Sequence, residues 1–181
     1  MSTTKVVTGK KTRFSYANVF EAKAINEGGD PKFSVAVLIP KKDKITLAKI
    51  EAAVTAAIEE GKGKHFAGKT PPRAAINLPL RDGDEERPDD EAYAGHFFFN
   101  ASSKTRPGIV DENRNQITDK EEFYSGCIGR ASINFYAFNT NGNSGVAAGL
   151  NNLQKLEDGT RLSGGSSAEE DFADDDADDL S

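Results

Sequence analysis

Apolar and polar residues alternate in part along residues 13–24, with Phe14, Tyr16 and Phe20 on one side of the pattern. The opposite side carries Arg13, Ser15 and Glu21. A period of two residues is typical of a β-strand with one wetter face. The pattern therefore predicts a long first strand with its apolar side turned towards a core.

A second, more buried strand is indicated by the apolar run from Phe33 to Ile39, which Pro40 ends. The sequence Gly28-Gly29-Asp30-Pro31 before this run has the composition of a turn. Two strands that flank a turn of this kind are expected to form a hairpin.

One long helix is predicted from Lys44 to Glu60. Asp43 is suited to cap its first turn and Gly61 to end it. Apolar residues recur at helical spacing at Leu47, Ile50, Val54, Ala57 and Ile58. This single stripe is expected to pack against the sheet rather than to bind a partner.

The rest of the chain is predicted to consist of further strands and loops. We expect loops at 61–72 and 81–91 and a turn at 139–145. Strands are expected at 76–80, where Pro79 restricts the strand to an edge, at 95–101, which is aromatic, at 128–138 and at 146–156. A helical turn is expected to begin at Thr118 and to end near Gly126. Several strands with one helix indicate a mainly β body of the small-barrel type. Residues 163–181 are Gly/Ser-rich and then acidic, which predicts a disordered tail after a folded domain at 1–162.

The formal net charge of −6 hides an uneven distribution. Residues 167–181 contain eight acids and no base, so 23 bases face 21 acids in the remainder. Residues 1–75 hold 14 bases and seven acids. A basic half joined to an acidic end suggests a polyanionic partner, although a solvated surface with an acidic solubility tail has the same composition.

Cys127 is the single cysteine, so an intramolecular disulfide is excluded. No apolar segment is long enough to suggest a secretion signal or a membrane span. We therefore expect an intracellular protein without a membrane partner.

A phosphate-loop pattern, G-x-x-x-x-G-K-[ST], occurs from Gly63 to Thr70. That loop binds nucleotides when a strand precedes it and a helix follows, since the amides of the helix N-terminus surround the phosphates. Here a helix is predicted before the pattern and Pro71-Pro72 follows it, which removes two amide donors. Nucleotide binding remains an alternative hypothesis, and the lysines of the segment suit a phosphate backbone equally well.

Other catalytic or metal chemistry finds weak support. The acids between Asp82 and Glu91 lie in one predicted loop, whereas a two-metal site needs carboxylates from separate rigid elements. One cysteine and two distant histidines do not make a zinc site. Cys127, at the start of an apolar strand, is more typical of a small buried side chain than of a nucleophile. We expect neither a metal, nor a cofactor, nor an enzymatic activity.

Proteins that bind single strands combine aromatic rings, which stack on bases, with Lys or Arg near the phosphates. The predicted strand at 128–138 has a core side at Gly129, Ala131, Ile133, Phe135 and Ala137 and a wetter side that includes Ser132. The candidate DNA-binding residues are Lys10, Lys11, Arg13, Tyr16, Lys104, Arg106, Phe123, Tyr124, Arg130, Asn134 and Tyr136. Because the chain has no Trp and 11 Phe, packing in the core is an equal alternative for each of these rings.

Several short motifs resemble those of one phage family. They are Arg13-Phe14-Ser15-Tyr16-Ala17, Leu80-Arg81-Asp82-Gly83, Tyr93-Ala94-Gly95-His96, Phe123-Tyr124-Ser125-Gly126-Cys127 and Gly149-Leu150-Asn151-Asn152. Together they resemble the phage family long catalogued as a domain of unknown function, DUF2815, over roughly residues 5–166. The resemblance implies an oligonucleotide/oligosaccharide-binding (OB) fold, a small five-stranded Greek-key barrel. It also implies single-stranded DNA binding.

The acidic end is similar to the tails of bacterial and T7-type single-stranded DNA-binding proteins, which implies competition with DNA and recruitment of phage or host replication proteins. The residues concerned are Glu169, Glu170, Asp171, Phe172, Asp174, Asp175, Asp176, Asp178 and Asp179. The chain ends in Leu180-Ser181 and not in the terminal Phe of those tails. The working hypothesis is sequence-independent binding of single strands during phage replication, recombination or repair in the cytoplasm of the infected host, with duplex DNA a further possible ligand. A protein-only adaptor acting through the tail is the other alternative.

Overall fold

The computed structural model describes residues 4–23, 31–66, 68, 76–140, 143–160 and 162. Within these ranges the strands are β1 (Lys5–Val7), β2 (Thr12–Lys23), β3 (Lys32–Pro40), β4 (Arg81–Asp82), β5 (His96–Ser103), β6 (Gly108–Val110), β7 (Ile128–Thr140) and β8 (Asn143–Glu157). The helices in the same ranges are α1 (Lys44–Glu60), α2 (Lys62–His65), α3 (Gly83–Glu86) and a 3-10 turn (Glu91–Tyr93).

Five strands close into a barrel in the order β2, β3, β5, β8, β7. The antiparallel β7–β8 hairpin and the short pairing of Thr12 with Gly129 between β2 and β7 complete the circle. The β5–β8 pair is parallel, and the other barrel pairs are antiparallel. β1 pairs with β7, β4 with β5, and β6 with β8. The predicted OB fold and the predicted first hairpin are thus confirmed.

The barrel interior is filled by alternate residues of its strands. The largest of these buried side chains are Phe14, Ile39, Phe99, Ile133, Phe135 and Leu153. Phe99 and Phe135 face each other from β5 and β7 with ring centroids 5.5 Å apart. Burial of such aromatic and branched side chains supplies the main driving force for folding.

α1 spans the residues that the sequence predicts. Asp43 caps it, because its carboxylate accepts a hydrogen bond from the Thr46 amide at 3.1 Å. The apolar stripe is buried in the same core as the barrel interior, with Leu47 partly buried against it. Gly61 ends the helix at φ −83°, outside the left-handed region, and a Cβ there would lie 2.3 Å from Ala137 Cβ. Close packing against β7 therefore favours glycine at this position.

Two predicted segments near α1 are wrong in detail. Residues 62–65 of the predicted loop form α2, which continues from α1 after Gly61. The predicted edge strand at 76–80 is reduced to a single bridge between Asn77 and Gly145. Pro79 has no amide to donate, so the pairing does not extend along the segment. Gly28, Gly29 and Asp30 of the predicted first turn lie outside the described residues.

The predicted structureless stretch at 81–91 is also wrong, because residues 81–95 form an ordered cover, here called the cap segment. Its carboxylates cap backbone amides: Asp82 accepts from the Asp84 amide at 2.9 Å, and Asp90 accepts from the Ala92 amide at 3.1 Å. Ala92 and Tyr93 are buried on the outward side of β3 and β5, where a second apolar cluster contains Ala36, Leu38 and Phe98. β3 is therefore buried on both faces.

The predicted helical turn after Thr118 is replaced by hydrogen-bonded turns. Asp119, rather than Thr118, accepts the local bond, from the Glu121 amide at 2.8 Å. The Glu122 amide then donates to the Asp119 carbonyl at 3.0 Å. The final strands at 128–138 and 146–156 are confirmed, and both are longer than predicted.

Candidate nucleic-acid interface

The outward side of β7 is the centre of the candidate interface. Gly129, Ala131, Ile133 and Phe135 are buried, whereas the residues between them alternate to the other side of the strand. These are Arg130, Ser132, Asn134 and Tyr136, of which Tyr136 is the most exposed at 44%. The predicted division of this strand into a core side and a wetter side is thus confirmed.

The neighbouring strands extend this side into a surface. In β1, Lys5 pairs with Asn134 and Val7 with Ser132. Directly paired residues point to the same side of an antiparallel sheet, so Lys5 and Val7 join the outward residues of β7. Lys5 is not predicted from the sequence, because the three-residue β1 is too short for a period of two to be recognised.

β8 lies along the other side of β7 and contributes small or uncharged residues. The outward residues of β7 from Arg130 to Tyr136 and their partners in β1 and β8 are here called the β7 surface: Lys5, Val7, Arg130, Ser132, Asn134, Tyr136, Ala147, Gly149, Asn152 and Gln154. Ile128 and its exposed partner Glu157 lie beyond the end of this surface. This set contains two bases and no acid. A surface that carries positive charge and no carboxylate is compatible with a phosphate chain.

Hydrogen bonds orient the polar side chains of the β7 surface. The Arg130 Nε donates to the Thr8 carbonyl at 3.0 Å, and Asn134 Oδ1 accepts from the Thr4 hydroxyl at 3.1 Å. In the described part of the chain, no carboxylate lies within ion-pair distance of Arg130. Arg130 therefore keeps its terminal N–H groups for a ligand while its Nε fixes its direction.

Gly149 allows the Tyr136 ring to lie close to the sheet. A Cβ at Gly149 would be 3.5 Å from Tyr136 Cε1 and 3.3 Å from the Asn134 carbonyl oxygen. The first distance is an ordinary van der Waals contact and the second is tight, so a larger residue would press mainly on the Asn134 carbonyl. One face of the ring is thus supported by backbone while the side chain remains half-exposed, an arrangement suited to stacking.

Phe123, Tyr124 and Arg13 lie outside the β7 surface. Phe123 is buried, with its ring 5.1 Å from that of Phe14. The Tyr124 hydroxyl donates to Asp158 at 2.9 Å, and burial raises the pKa of that hydroxyl. Phe123 therefore packs in the protein interior, and Tyr124 fixes the segment after β8.

Arg13 also serves that segment, donating to the carbonyls of Gly126 at 3.3 Å and Thr160 at 2.9 Å. The Leu162 amide donates to the Ser125 carbonyl at 3.0 Å, and the Leu162 side chain packs on the second apolar cluster. The chain after β8 is therefore fastened to the outward side of β3 and β5, beside the cap segment.

The remaining predicted bases are exposed, and none of them is among the residues that define the β7 surface. Lys11 forms an ion pair with Glu157 at 2.9 Å, and Arg106 donates to the Phe20 carbonyl. Lys10 and Lys104 are exposed. Tyr16 lies on a bulge of β2 with 48% of its surface exposed. Residues 169–179 of the acidic tail lie outside the described residues.

Ion pairs tie the cap segment to the end of β3. Lys41 Nζ lies 2.7 Å from Asp82 and 2.8 Å from Asp84. These hydrogen bonds raise the pKa of Lys41 and lower the pKa values of both carboxyls. The acids are thus engaged in holding the cap segment.

Within the described residues, the other candidate chemistries lack the geometry that they need. Gly63 to His65 of the phosphate-loop pattern lie in α2, directly after α1, and not between a strand and a helix. Burial raises the pKa of the Cys127 thiol to about 11, so its thiolate is disfavoured at neutral pH. In the described ranges, no group of three or more His, Cys, Asp or Glu is placed to hold a metal ion. The same ranges contain no helix that is long and apolar enough to cross a membrane.

Comparison with known proteins gives consistent relatives. The p50 protein of Acyrthosiphon pisum secondary endosymbiont phage 1 is 33% identical over 158 residues, 84% of each chain. The bacteriophage Enc34 single-stranded DNA-binding protein, solved in complex with ssDNA, is 26% identical with a TM-score of 0.72, and the match covers 88% of each chain.

A more distant structure shares the fold alone. The single-stranded DNA-binding protein gp2.5 of bacteriophage T7 is 18% identical, with a TM-score of 0.54 and coverage of 94% of this chain and 93% of that one. The family model described as Enterobacter phage Enc34, ssDNA-binding protein, matches residues 4–181. The chain therefore belongs to the family of the Enterobacter phage Enc34 ssDNA-binding protein.

Proposed function

We propose that this protein binds single-stranded DNA without sequence preference through the β7 surface. The observation that carries the proposal is an acid-free outward strand, with Arg130 directed by Thr8 and Tyr136 supported by Gly149. Arg130 and Lys5 attract phosphates and release counterions, while the Tyr136 ring stacks on a base. The basic side chains of this surface attract phosphates, and its ring stacks on the flat face of a base. Every nucleotide offers both features, so binding needs no particular sequence.

The family relationship supports the same ligand. The relative from bacteriophage Enc34 is described as a single-stranded DNA-binding protein in complex with ssDNA. The present chain keeps that fold over most of its length. We infer a role in protecting single strands during phage replication, recombination or repair, in the cytoplasm of the infected host, by binding and without catalysis.

We also propose that the chain is divided into a folded body and a tail. Residues 1–162 are the DNA-binding body, and residues 163–181 are a separate acidic tail. Supporting this, Leu162 is anchored on the second apolar cluster, and eight acids follow it in the sequence. The tail follows Leu162 in the sequence, so its charges can compete with DNA for the basic side chains. The same tail is proposed to recruit phage or host replication proteins.

Fluorescence anisotropy of labelled oligonucleotides tests the proposed function. Oligomers of dT, of dA and of mixed sequence, all of one length, are titrated with the full chain, and a duplex of the mixed sequence is titrated in parallel. We expect binding of all three single strands, with the affinity falling as salt rises. Failure to bind any single strand at low salt would refute the proposal, and tighter binding of the duplex would overturn its preference for single strands.

A further inference from the structure

Tyr16 has an unusual backbone conformation on the outward side of the barrel. Its φ is +48°, in the left-handed region that disfavours residues other than glycine. The pairing of β2 with β3 shifts register between Ser15 and Asn18, and the Asn18 side-chain amide donates to the Tyr16 carbonyl at 3.3 Å. The bulge takes Tyr16 out of the strand alternation and leaves its ring 48% exposed.

Arg87 of the cap segment connects this exposed ring to buried rings. Its guanidinium carbon lies 6.0 Å from the centroid of the Tyr16 ring, 5.6 Å from that of Tyr93 and 5.9 Å from that of Phe98. Tyr93 and Phe98 are buried and pack edge to face, with centroids 4.9 Å apart. Two of the three rings around Arg87 are therefore fixed by the second apolar cluster.

The charges around Arg87 bear on what it can bind. Among the described residues no carboxylate lies within ion-pair distance of its guanidinium, and Glu86 instead pairs with Arg81 at 3.0 Å. The acids that flank it in sequence are Glu86, Asp89, Asp90 and Glu91. These negative charges make the position unfavourable for a phosphate, whereas they leave the stacking of an uncharged base almost unaffected.

We propose that Tyr16 stacks on a base of the bound strand and that Arg87 is the positioning residue that holds the Tyr16 ring for this contact. The inference rests on the proposed function and adds a second stacking point, on β2, to that of Tyr136 on β7. A guanidinium among three rings restricts the motion of the exposed ring through cation–π attraction. The ring then loses its conformational entropy when the protein folds. Because this cost is not incurred again on binding, the affinity for DNA is higher.

Four variants and two ligands test this inference. Tyr16→Asn removes the ring but tolerates the left-handed backbone, and Tyr16→Phe keeps the ring. Arg87→Met keeps an apolar stem without the charge, and the double variant Tyr16→Asn/Arg87→Met completes a cycle. The ligands are a labelled dT oligomer and an abasic deoxyribose-phosphate oligomer of equal length. Thermal melting of each variant confirms folding, and Arg87→Lys replaces Arg87→Met if the latter does not fold.

We expect Tyr16→Asn to weaken binding of the dT oligomer by about 5- to 150-fold, the range for one lost base stack. Tyr16→Phe should bind like the wild type. Arg87→Met should weaken binding several-fold, with no change in the salt dependence and no further loss in the Tyr16→Asn background. Neither Tyr16→Asn nor Arg87→Met should change binding of the abasic oligomer.

Equal dT affinity of the wild type and Tyr16→Asn would overturn the inference and leave the proposed function standing. The inference would also be overturned if Arg87→Met weakened binding equally in the Tyr16→Asn background. A salt slope lowered by about 0.7 in Arg87→Met would overturn it as well, since that change marks a lost phosphate contact. Absence of any binding by the wild type would overturn the proposed function together with the inference.

Discussion

Tyr136 is the residue of the β7 surface whose contribution is simplest to isolate. Its ring is half-exposed on β7 and rests beside Gly149, so its removal leaves the core unchanged. Tyr136→Ala should weaken binding of single-stranded DNA by about 1–3 kcal/mol, whereas Tyr136→Phe should retain most of the affinity. Titration of one oligomer with the wild type and both variants measures the difference. Equal affinities for all three proteins would show that no base stacks at this position.

Individual aromatic residues could not be assigned from the sequence. Phe123 and Tyr136 both stand beside basic or polar residues, yet the structure buries the first against Phe14 and exposes the second. Tyr16 was placed with Phe14 on the apolar side of β2, but a bulge and a left-handed backbone turn it outwards. Ser15, expected on the wetter side, is instead buried. These differences depend on contacts between distant segments, which local periodicity does not contain.

Elements with strong local signals were predicted well. The start of α1 is encoded in residues 43–61, where a capping Asp, a stripe of apolar residues and a terminal Gly follow one another. The long strands of the barrel carry comparable periodic patterns. The cap segment was missed because its order depends on Lys41 and on the buried Tyr93, neither of which is apparent from a run of acids.

The N-terminus of α1 offers a test of the local encoding. Asp43 accepts from the Thr46 amide at 3.1 Å and from the Thr46 hydroxyl at 2.7 Å, and the same hydroxyl accepts from the Gly9 amide at 2.9 Å. Asp43→Ala should lower the free energy of unfolding by about 0.5–2 kcal/mol. Urea denaturation measures this change, with Asp119→Ala, which removes a turn contact outside any helix, as the comparison. An unchanged free energy of unfolding would show that the cap does not stabilise the helix.

The attachment of the cap segment should depend on pH. The pKa values of Asp82 and Asp84 are lowered by their hydrogen bonds to Lys41, so the folded state gains stability above the ordinary pKa of Asp, about 3.9, and loses it as the pH falls through the lowered values. Lys41→Met should therefore destabilise the protein at pH 7 and have a smaller effect at pH 3. Urea denaturation at the two pH values measures this, and an equal loss at both would contradict the role of the ion pairs.

At the scale of the whole molecule, a DNA-binding barrel is joined to an acidic end that can compete with DNA for its basic side chains. The body up to residue 166 has a small excess of bases, and the eight acids of the tail follow Leu162, which is anchored beside the cap segment. A tether of this kind keeps the acids at high effective concentration near the barrel.

Removal of residues 163–181 should therefore raise the affinity for single-stranded DNA at low salt, and the difference should shrink as salt screens the charges. Titrations of the full chain and the truncated chain at several salt concentrations measure the effect. A full-length variant with the eight tail acids replaced by Asn or Gln is the matched control, because it keeps the length of the tail. If truncation raises the affinity and neutralisation does not, the charges of the tail are not the cause.

The most direct test of the central claim is the salt dependence of single-stranded DNA binding by the wild type, Arg130→Gln and Lys49→Gln. Lys49 is an exposed residue of α1, so the last variant makes the same change of charge outside the β7 surface. For the wild type and Lys49→Gln, we predict parallel linear decreases of log K with log salt concentration. For Arg130→Gln, we predict weaker binding and a slope smaller by about 0.7, as expected for one lost phosphate contact. Identical slopes and affinities for all three proteins would contradict the assignment of the β7 surface as the DNA-binding site.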